Sequence, residues 1–380
     1  MSKDAALKAI LFESCSSTLY GAERSLLAVV EAMSPTWKPH FVVPKTGTYS
    51  DALKEANLPY DVVVPHYRLR FFYMVLRLAQ TIRMRRASLV HANLHFSLPA
   101  VSAACQLTGV PFVVHLRLMT PYDSRQAPLF SRAAAVICIS QAVKDSALKA
   151  GVISAEHQKR TWIIPDARDP LKYQRGDGRR IRRELGIGQD RPLIGMIARI
   201  NPMKGQHVFL EAAALIADKM PVARFVLAGD LHDDNHRDYL KLLKRRCEEP
   251  PLRGRVNFLG YRTDISDILA ALDCFVHPSS RGAFVSVLIE AMAAGIPIVA
   301  SDVDGIPECV GRDGAAELVG NLDPAVWASA IQEIIHDPAQ RSNMTRTGRE
   351  RVKRYDAINL ARTTEQVFER SFRERYLIAA

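Results

Sequence analysis

The stretch 279–308, SSRGAFVSVLIEAMAAGIPIVASDVDGIPE, carries the clearest indication of the fold in this chain. It follows the apolar run CFVHP (274–278), which is typical of a buried strand. It then continues into an apolar helix, VLIEAMAA, that Gly295 would end as a C-cap. A second apolar run, IPIVAS (296–301), comes directly afterwards. Strand, helix and strand in this order predict a unit of a parallel α/β sheet.

The same alternation extends through most of the chain and is interrupted once, by the charged, turn-rich segment 170–190. We interpret that segment as a linker followed by a short helix. The residues after about 321 are expected to be helical. We therefore predict two doubly wound parallel α/β domains, whose ligands bind beyond the carboxyl ends of the strands. The remaining apolar runs read as buried strands and are AILFES, HFVVPK, DVVVP, SLVHAN, FVVHLR, AVICIS, TWIIPD, LIGMIAR, RFVLAGD and VNFLG.

Composition limits the class of protein. The chain has 380 residues, of which 48% are hydrophobic and 24% charged, and this length favours two domains with cores of their own. Its 6 cysteines are scattered without a CxxC pair, so reduced thiols are expected rather than a metal or disulfide framework. The N-terminal residues resemble no signal peptide, and no apolar run is long enough to span a membrane. We expect a cytoplasmic protein.

Positive charge is concentrated in one part of the chain. The formal net charge is +11, and residues 62–122 contain no Asp or Glu. Such a stretch indicates attraction to anionic lipid or to a phosphorylated partner. Nucleic acid is the competing partner, but the sequence shows no zinc-finger, RNP or helix-turn-helix signature, so none is expected. The arginines of the stretch are Arg68, Arg70, Arg77, Arg83, Arg85, Arg86 and Arg117.

An amphipathic helix is predicted within this basic stretch, over residues 69–86. The simpler interpretation is a helix that packs on the core and leaves its arginines in water. The alternative is peripheral contact with an anionic membrane through residues 68–86. One face is predicted to carry Phe72, Val75, Leu76, Ala79 and Ile82.

Two cations and one acid are candidate ligand-binding residues. Arg199 would end the strand LIGMIAR, and Lys204 would precede the next helix, where both could neutralise a diphosphate. A solvated loop with a capping lysine is the alternative. Glu290 lies in an otherwise apolar helix, and a buried acid needs partners that two ribose hydroxyls would supply. The alternative is a glutamate on the helix surface. The amino end of that helix offers backbone N–H groups to an anion.

These residues belong to a pattern that resembles the retaining GT-B glycosyltransferases of family 4 (glycosyl transferases group 1). The carboxyl half resembles the family closely in the order and spacing of its motifs, and the amino half more loosely. In the amino half the similar pieces are YGAERSLL, LVHANLHFSLPA, GVPFVVHLR, ICISQAVKD and WIIPDARDP. In the carboxyl half they are ARINPMKG, FVLAGD, VNFLGYRTDI, HPSS, LIEAMAAGIPIVASD and GIPE.

The resemblance implies a fold of two Rossmann-like domains that face a cleft, with a C-terminal helix crossing back to the first. It implies an acceptor-side domain over 1–172 with the helix 357–380, and a nucleotide-sugar-binding domain over 173–356. It implies a hexosyltransferase that uses a nucleotide-diphospho-sugar, needs no cofactor or metal, and acts with retention on a saccharide or lipid-linked saccharide.

The resemblance also implies roles for individual residues. Arg199 and Lys204 would hold the diphosphate, Glu290 the ribose, and His115 would reach the donor sugar near the reacting carbon. Gly21 would close over the diphosphate. The remaining donor contacts would be backbone near the base, at Tyr261 and Arg262, and amides near the sugar and phosphates, at Ala283, Phe284, Val285 and Ser286.

The chain departs from the family pattern where a second acid is usual. Gly282 stands eight residues before Glu290, in place of a glutamate that contacts sugar hydroxyls. Losing one charged hydrogen bond there costs about 2–4 kcal/mol, or roughly 30- to 1000-fold in rate. The alternative function is therefore a non-catalytic nucleotide-sugar-binding subunit. A sugar phosphorylase or synthase and a membrane scaffold are weaker alternatives. Other departures are Tyr20-Gly21, Asp166-Ala167, Ala283, Val285 and Asp304-Gly305.

Overall fold

The computed structural model describes residues 8–63, 70–231 and 234–378 of the chain. The chain divides into two compact units. The first combines Met1–Arg168 with Asp356–Ala380, and the second is Asp169–Tyr355. The sequence-based boundaries lie at 172 and 356.

The first unit is built on a parallel sheet of 7 strands in the order β3-β2-β1-β4-β5-β6-β7. Its inner strands are buried along their length because helices cover both faces, which explains their continuous apolar runs. The strands are β1 Lys8–Glu13, β2 Trp37–Val43, β3 Tyr60–Val62, β4 Leu89–Ala92, β5 Phe112–Leu116, β6 Ala135–Cys138 and β7 Thr161–Ile163.

The helices of the first unit include the last helix of the chain. That helix packs on α1 and on β4 and β5. Phe368 lies in the same core as Phe12 and Trp37, with ring centroids 6.1 and 5.7 Å away. The helices are α1 Gly21–Glu31, α2 Thr48–Glu55, α3 Arg70–Met84, α4 Leu98–Thr108, α5 Ala127–Ser131, α6 Gln141–Lys149 and, numbered last in chain order, α16 Ala357–Ile378.

The second unit is built on a parallel sheet of 6 strands in the order β10-β9-β8-β11-β12-β13. The strands are β8 Leu193–Ile197, β9 Arg224–Ala228, β10 Val256–Gly260, β11 Cys274–His277, β12 Ile298–Ser301 and β13 Glu317–Val319. The helices are α7 Pro170–Gln174, α8 Gly178–Glu184, α9 Gln206–Lys219, α10 Arg237–Cys247, α11 Ile265–Ala271, α12 Ser286–Ala294, α13 Ile306–Val310, α14 Pro324–His336 and α15 Pro338–Val352.

The predicted α/β class, with two doubly wound parallel sheets, is confirmed. The apolar runs quoted above form strands, although their described ends differ by a few residues. Strand β13 was not predicted, because three residues without a clear apolar run carry too little pattern.

The short helix predicted within 170–190 is present as α8, but the interpretation of the residues before it as a linker is wrong. Helices α7 and α8 pack against α11 and α12, and Ile181 is buried in the core of the second unit. Gly178 permits this packing, because a Cβ there would lie 2.3 Å from the carbonyl oxygen of Ala270. The charges that suggested a solvated segment are used in ion pairs such as that between Arg180 and Asp267.

The face predicted for the basic helix is also wrong in part. Val75, Ala79 and Ile82 are buried as predicted, whereas Phe72 and Leu76 are 68% and 64% exposed. Leu78 is buried instead. The helix therefore carries apolar residues on its exposed side as well as on the side that packs on the core. Residues 68 and 69 lie outside the described residues.

Candidate functional site

Three loops of the second unit are tied together at the carboxyl ends of neighbouring strands. Strand β11 lies between β8 and β12, so the loops that follow these strands are adjacent. The Ser279 hydroxyl and the Ser280 N–H both donate to the carbonyl of Met203, at 2.8 and 2.9 Å. The Gly305 N–H donates to the carbonyl of Gly282 at 2.9 Å. The stretch 279–308 and the loop that contains Lys204 are therefore joined by hydrogen bonds at one edge of the sheet.

Gly205 shows how closely two of these loops approach. Its φ is +76°, and a Cβ at this position would lie 1.9 Å from the carbonyl oxygen of Pro278. Only glycine satisfies both the left-handed backbone and this contact. Gly205 therefore fixes the position of the Lys204 backbone relative to the loop after β11.

The two predicted cations lie on this edge. Arg199 follows β8 and is exposed, and Lys204 is partly buried at the end of a single 3-10 turn, Pro202–Lys204. Burial, with a smaller contribution from the charge of Arg199, lowers the pKa of Lys204 to about 8. An anion bound beside both cations would reverse that effect by stabilising the ammonium form.

Glu290 is 8% exposed within helix α12, which excludes the interpretation as a surface glutamate. The helix begins at Ser286, and among the described residues no side chain caps its amino end. Val285 is buried, and Phe284 places its ring 5.5 Å from that of Tyr355. Their side chains pack on the core, so any donor contact at 283–286 must come chiefly from the backbone.

The predicted base-contact segment lies at the end of β10, two strands away from β8. Tyr261 is 59% exposed. The Arg262 guanidinium donates to Glu184 at 2.6 and 3.0 Å and to Asp264 at 2.7 and 2.8 Å. Its side chain is therefore used to hold α8 and the loop after β10 together.

Gly21 and His115 lie in the first unit, apart along the chain from the cations. Gly21 is the first residue of α1, and its carbonyl accepts a bond from Arg168 at 3.5 Å. His115 is buried near the end of β5, and its Nε2 has no hydrogen-bond partner among the described residues. Burial lowers the pKa of His115 well below its usual value, so the imidazole is neutral at pH 7.

A buried ion pair in the first unit was not predicted. The Arg117 guanidinium is 5% exposed, contacts the Asp166 carboxylate, and donates to Asn93 Oδ1 at 2.9 Å. Arg117 therefore adds no charge to the surface, contrary to its place in the predicted basic stretch. The sequence contains one sign of this pair, because Asp166-Ala167 departs from the family pattern. Only the fold brings Asp166 to an arginine 49 positions earlier in the chain.

A carboxylate beside Gly282 was also missed. The Gly282 N–H donates to Asp304 Oδ2 at 3.0 Å, and Arg281 Nε lies 3.6 Å from the same oxygen. Asp304 has a φ of +48°, a conformation that asparagine, aspartate and glycine tolerate best. A Cβ at Gly282 would lie 2.9 Å from Cγ1 of the buried Ile306. A side chain at position 282 would therefore force Ile306 to shift.

Within the described residues, none of the helices combines the length and apolar character needed to cross a membrane.

Two family models match the chain, one in each half. The model described as Glycosyltransferase Family 4 matches residues 20–170, and that described as Glycosyl transferases group 1 matches residues 177–351. A D-inositol 3-phosphate glycosyltransferase of Corynebacterium urealyticum is 30% identical over 220 residues, which are 56% of this chain and 51% of that protein. The match thus spans about half the length of that relative.

A 2-deoxystreptamine glucosyltransferase of Streptomyces kanamyceticus is 27% identical over 73% of this chain and 76% of its own length. Among solved structures, Anabaena HepE in complex with UDP-glucose has a TM-score of 0.84 and 26% identity, and the match covers 95% of this chain and 98% of HepE. Sucrose-phosphate synthase from Thermosynechococcus elongatus, at 18% identity, shares the fold with a TM-score of 0.76 over 97% of this chain and the whole of that one, at 100%.

Proposed function

Because the chain belongs to the group 1 and family 4 glycosyltransferases of GT-B fold, we propose that it transfers a hexosyl group, with retention, from a nucleotide-diphospho-sugar to an acceptor hydroxyl. The observation that carries the proposal is the edge of the second unit where Arg199 and Lys204 follow β8. This edge is hydrogen-bonded to the loop that leads into α12.

Each part of that edge has chemistry suited to the donor. The two cations neutralise the charge that builds up on the leaving diphosphate, a role that also removes the need for a metal. Glu290 is buried enough to favour hydrogen bonds from ribose hydroxyls. Backbone at 261–262 contacts the base, and amides of Ala283–Ser286 face the sugar and phosphates. The roles predicted for Gly21 and His115, which lie in the first unit, stay predictions.

UDP-glucose is the first donor to test, because HepE was solved with it and is similar over nearly the whole chain. Calorimetric titration with UDP, UDP-glucose and the corresponding ADP and GDP compounds should identify one preferred nucleotide. Transfer to acceptors is then measured with that donor, with and without EDTA. Failure of every nucleotide to bind at millimolar concentration would overturn the proposal, and loss of transfer in EDTA would overturn its metal-free form.

The acceptor we propose is a saccharide linked to a lipid, met at the inner face of a membrane by a cytoplasmic protein. The support is helix α3, where Phe72 and Leu76 are exposed beside Arg77. Arg85 contributes less than the sequence suggested, because Asp61 already binds its guanidinium at 2.8 and 3.1 Å.

Vesicle binding tests this contact. Co-sedimentation with anionic vesicles at low salt is expected for the unaltered chain, and Phe72→Ser with Leu76→Ser should weaken it, because apolar area and charge act together at an interface. Ile358→Ser, at an exposed apolar residue of α16, is the matched control. Equal sedimentation of all three proteins, or none at all, would contradict the contact.

The pH dependence of nucleotide binding tests the role of Lys204. Its pKa of about 8 means that the free protein loses this positive charge between pH 7 and 9. A diphosphate binds the charged form better, so UDP affinity is expected to fall as the pH rises through 8. Lys204→Arg stays protonated over this range and should remove most of the fall. An identical pH profile in both proteins would exclude Lys204 as a diphosphate ligand.

The alternative, a non-catalytic subunit, depends on the absence of an acid at Gly282. A carboxylate still lies beside the position of the missing glutamate, because Asp304 accepts a bond from the Gly282 N–H. We therefore expect Asp304→Asn to lower kcat/KM about 30- to 1000-fold, the effect of one charged hydrogen bond in a closed site. Asparagine keeps the backbone conformation, so nucleotide affinity should change little.

Asp304→Gly is the control for the backbone and should lose activity to a similar extent. Wild-type activity in Asp304→Asn would show that the carboxylate takes no part in transfer. Nucleotide binding without transfer to any acceptor, in the unaltered chain, would favour the non-catalytic subunit.

A further inference from the structure

Three arginines stand side by side at the amino ends of neighbouring strands in the second unit, and we call them the arginine row. Arg191 lies two residues before β8, Arg224 is the first residue of β9, and Arg255 lies directly before β10. These strands are adjacent in the sheet. The Arg224 N–H donates to the Pro192 carbonyl at 2.8 Å. The Phe225 N–H donates to the Arg255 carbonyl at 2.9 Å, so the backbone holds the three positions together.

The guanidinium groups of the arginine row form no ion pair with a carboxylate of the described residues. Arg224 donates to the carbonyls of the turn 221–223, at 2.9 to 3.3 Å. Arg255 donates to a carbonyl in the last turn of α9, at 2.8 Å. Elsewhere in this unit an arginine such as Arg246 pairs with an acid, in this case Glu211 at 2.7 Å. The row therefore keeps its positive charge.

The charges of the row oppose one another. All three side chains are half-buried. Burial, and then the charges of Arg191 and Arg255, lower the pKa of the Arg224 guanidinium. Neighbouring strands lie about 4.8 Å apart, so the three residues start from closely spaced positions. The nearest acids along the chain, Asp190 and Asp218, are exposed to solvent. An anion bound between the guanidinium groups would relieve their repulsion.

The arginine row lies at the opposite edge of the sheet from Arg199 and Lys204, whose edge we call the donor edge. Arg199 stands eight residues after Arg191, at the other end of β8. An extended chain rises about 3.3 Å per residue, which separates the two edges by roughly 25 Å. One diphosphate therefore cannot contact both edges.

We propose that the arginine row is a binding site for a small phosphorylated compound, separate from the donor edge. Arginine suits phosphate because its planar guanidinium offers paired N–H donors to two oxygens. Backbone carbonyls already hold Arg224 and Arg255, so little side-chain freedom is lost on binding. A membrane fits this row less well, because long charged side chains reach headgroups from exposed positions. The inference does not depend on the proposed transferase function.

Pyrophosphate is the probe, titrated by calorimetry into the full chain at about 0.15 M salt, where weak surface attraction is screened. The background is the double variant Arg199→Ala, Lys204→Ala, which removes the cations of the donor edge. Binding is expected to persist in it. Adding Arg191→Gln or Arg224→Gln should weaken binding about tenfold or more, the effect of one charge-assisted hydrogen bond. Arg346→Gln, at an exposed position of α15, is the matched control and should leave the affinity unchanged.

Arg191→Gln keeps the test independent of folding, because the Arg191 side chain has no hydrogen bond to another of the described residues. Thermal unfolding checks that Arg224→Gln is folded. Loss of all pyrophosphate binding in the double variant would overturn the proposal. Equal weakening by Arg191→Gln and Arg346→Gln would also overturn it, because net charge alone would explain the binding. Sedimentation with phosphatidylglycerol vesicles that depends on Arg191, without pyrophosphate binding, would assign the row to a membrane instead.

UDP titration of the unaltered chain separates this inference from the proposed function. Pyrophosphate binding that depends on Arg191, in a chain that binds no nucleotide, would support the arginine row and contradict the transferase. UDP binding that is lost in the double variant, together with loss of all pyrophosphate binding there, would support the donor edge and contradict the arginine row.

Discussion

Arg199→Ala is expected to lower kcat/KM for transfer about 100- to 1000-fold and to weaken UDP binding by about tenfold. A preorganised cation aimed at a leaving diphosphate stabilises the charge that develops in the transition state more than the charge of the ground state. Arg199 follows the central strand β8 and is exposed, and replacing an exposed side chain usually changes stability by little. The loss should therefore appear in activity and not in stability.

Steady-state rates with the preferred nucleotide sugar, together with calorimetry of UDP, measure both effects. Lys219→Ala is the matched control, because it removes a positive charge from the other end of α9, at an exposed position. That variant should keep full activity. A loss of less than threefold in Arg199→Ala would contradict the proposed contact between Arg199 and the diphosphate.

Asp166→Ala is expected to lower the free energy of unfolding of the first unit by about 3–5 kcal/mol. The substitution leaves the Arg117 charge buried without its carboxylate partner, and breaking a buried ion pair on one side carries a cost of this size. Hydrogen exchange of β5 and β6 measures the change, and peptides from the second unit provide the internal reference. Their protection should be unaffected.

Two variants control this prediction. Arg125→Ala removes an ion pair in which the arginine side chain is 89% exposed, and should leave stability nearly unchanged. The double variant Arg117→Met, Asp166→Leu removes both charges and should recover much of the stability lost in Asp166→Ala, because no unpaired charge remains. A double variant no more stable than the single one would show that the pair is not the source of the loss.

Local pattern explains why so much of the fold was predictable. Strands such as β5 and β6 are buried on both faces, and their Val- and Ile-rich runs are therefore continuous in the sequence. Gly295 ends α12 with a φ of +73°, as its position after VLIEAMAA predicted. Local charge was misleading at 170–190, because Arg180 of α8 binds Asp264 and Asp267, which lie 84 and 87 positions later in the chain.

The sequence predicted those candidate site residues that stand next to, or within, an apolar run. Arg199, Lys204 and Glu290 are each recognisable because a charged residue directly follows or interrupts an apolar run. Gly282 could be read only as a missing side chain. The fold adds what the sequence could not show: the loop after β12 brings the Asp304 carboxylate into a hydrogen bond with the Gly282 N–H.

The α/β class, most of the order of strands and helices, the resemblance to the family and the cations that follow β8 could be predicted from the sequence, since each depends on residues that are neighbours along the chain. Tertiary structure alone decided that Arg117 is a buried partner of Asp166 rather than a surface cation. It alone placed Asp304 beside Gly282 and assembled an apolar cavity around Glu13 from the ends of β1, β2, β3 and β4 and from helices α3 and α4. The physical reason is that burial and pairing depend on contacts between distant segments, which hydrophobic periodicity does not encode.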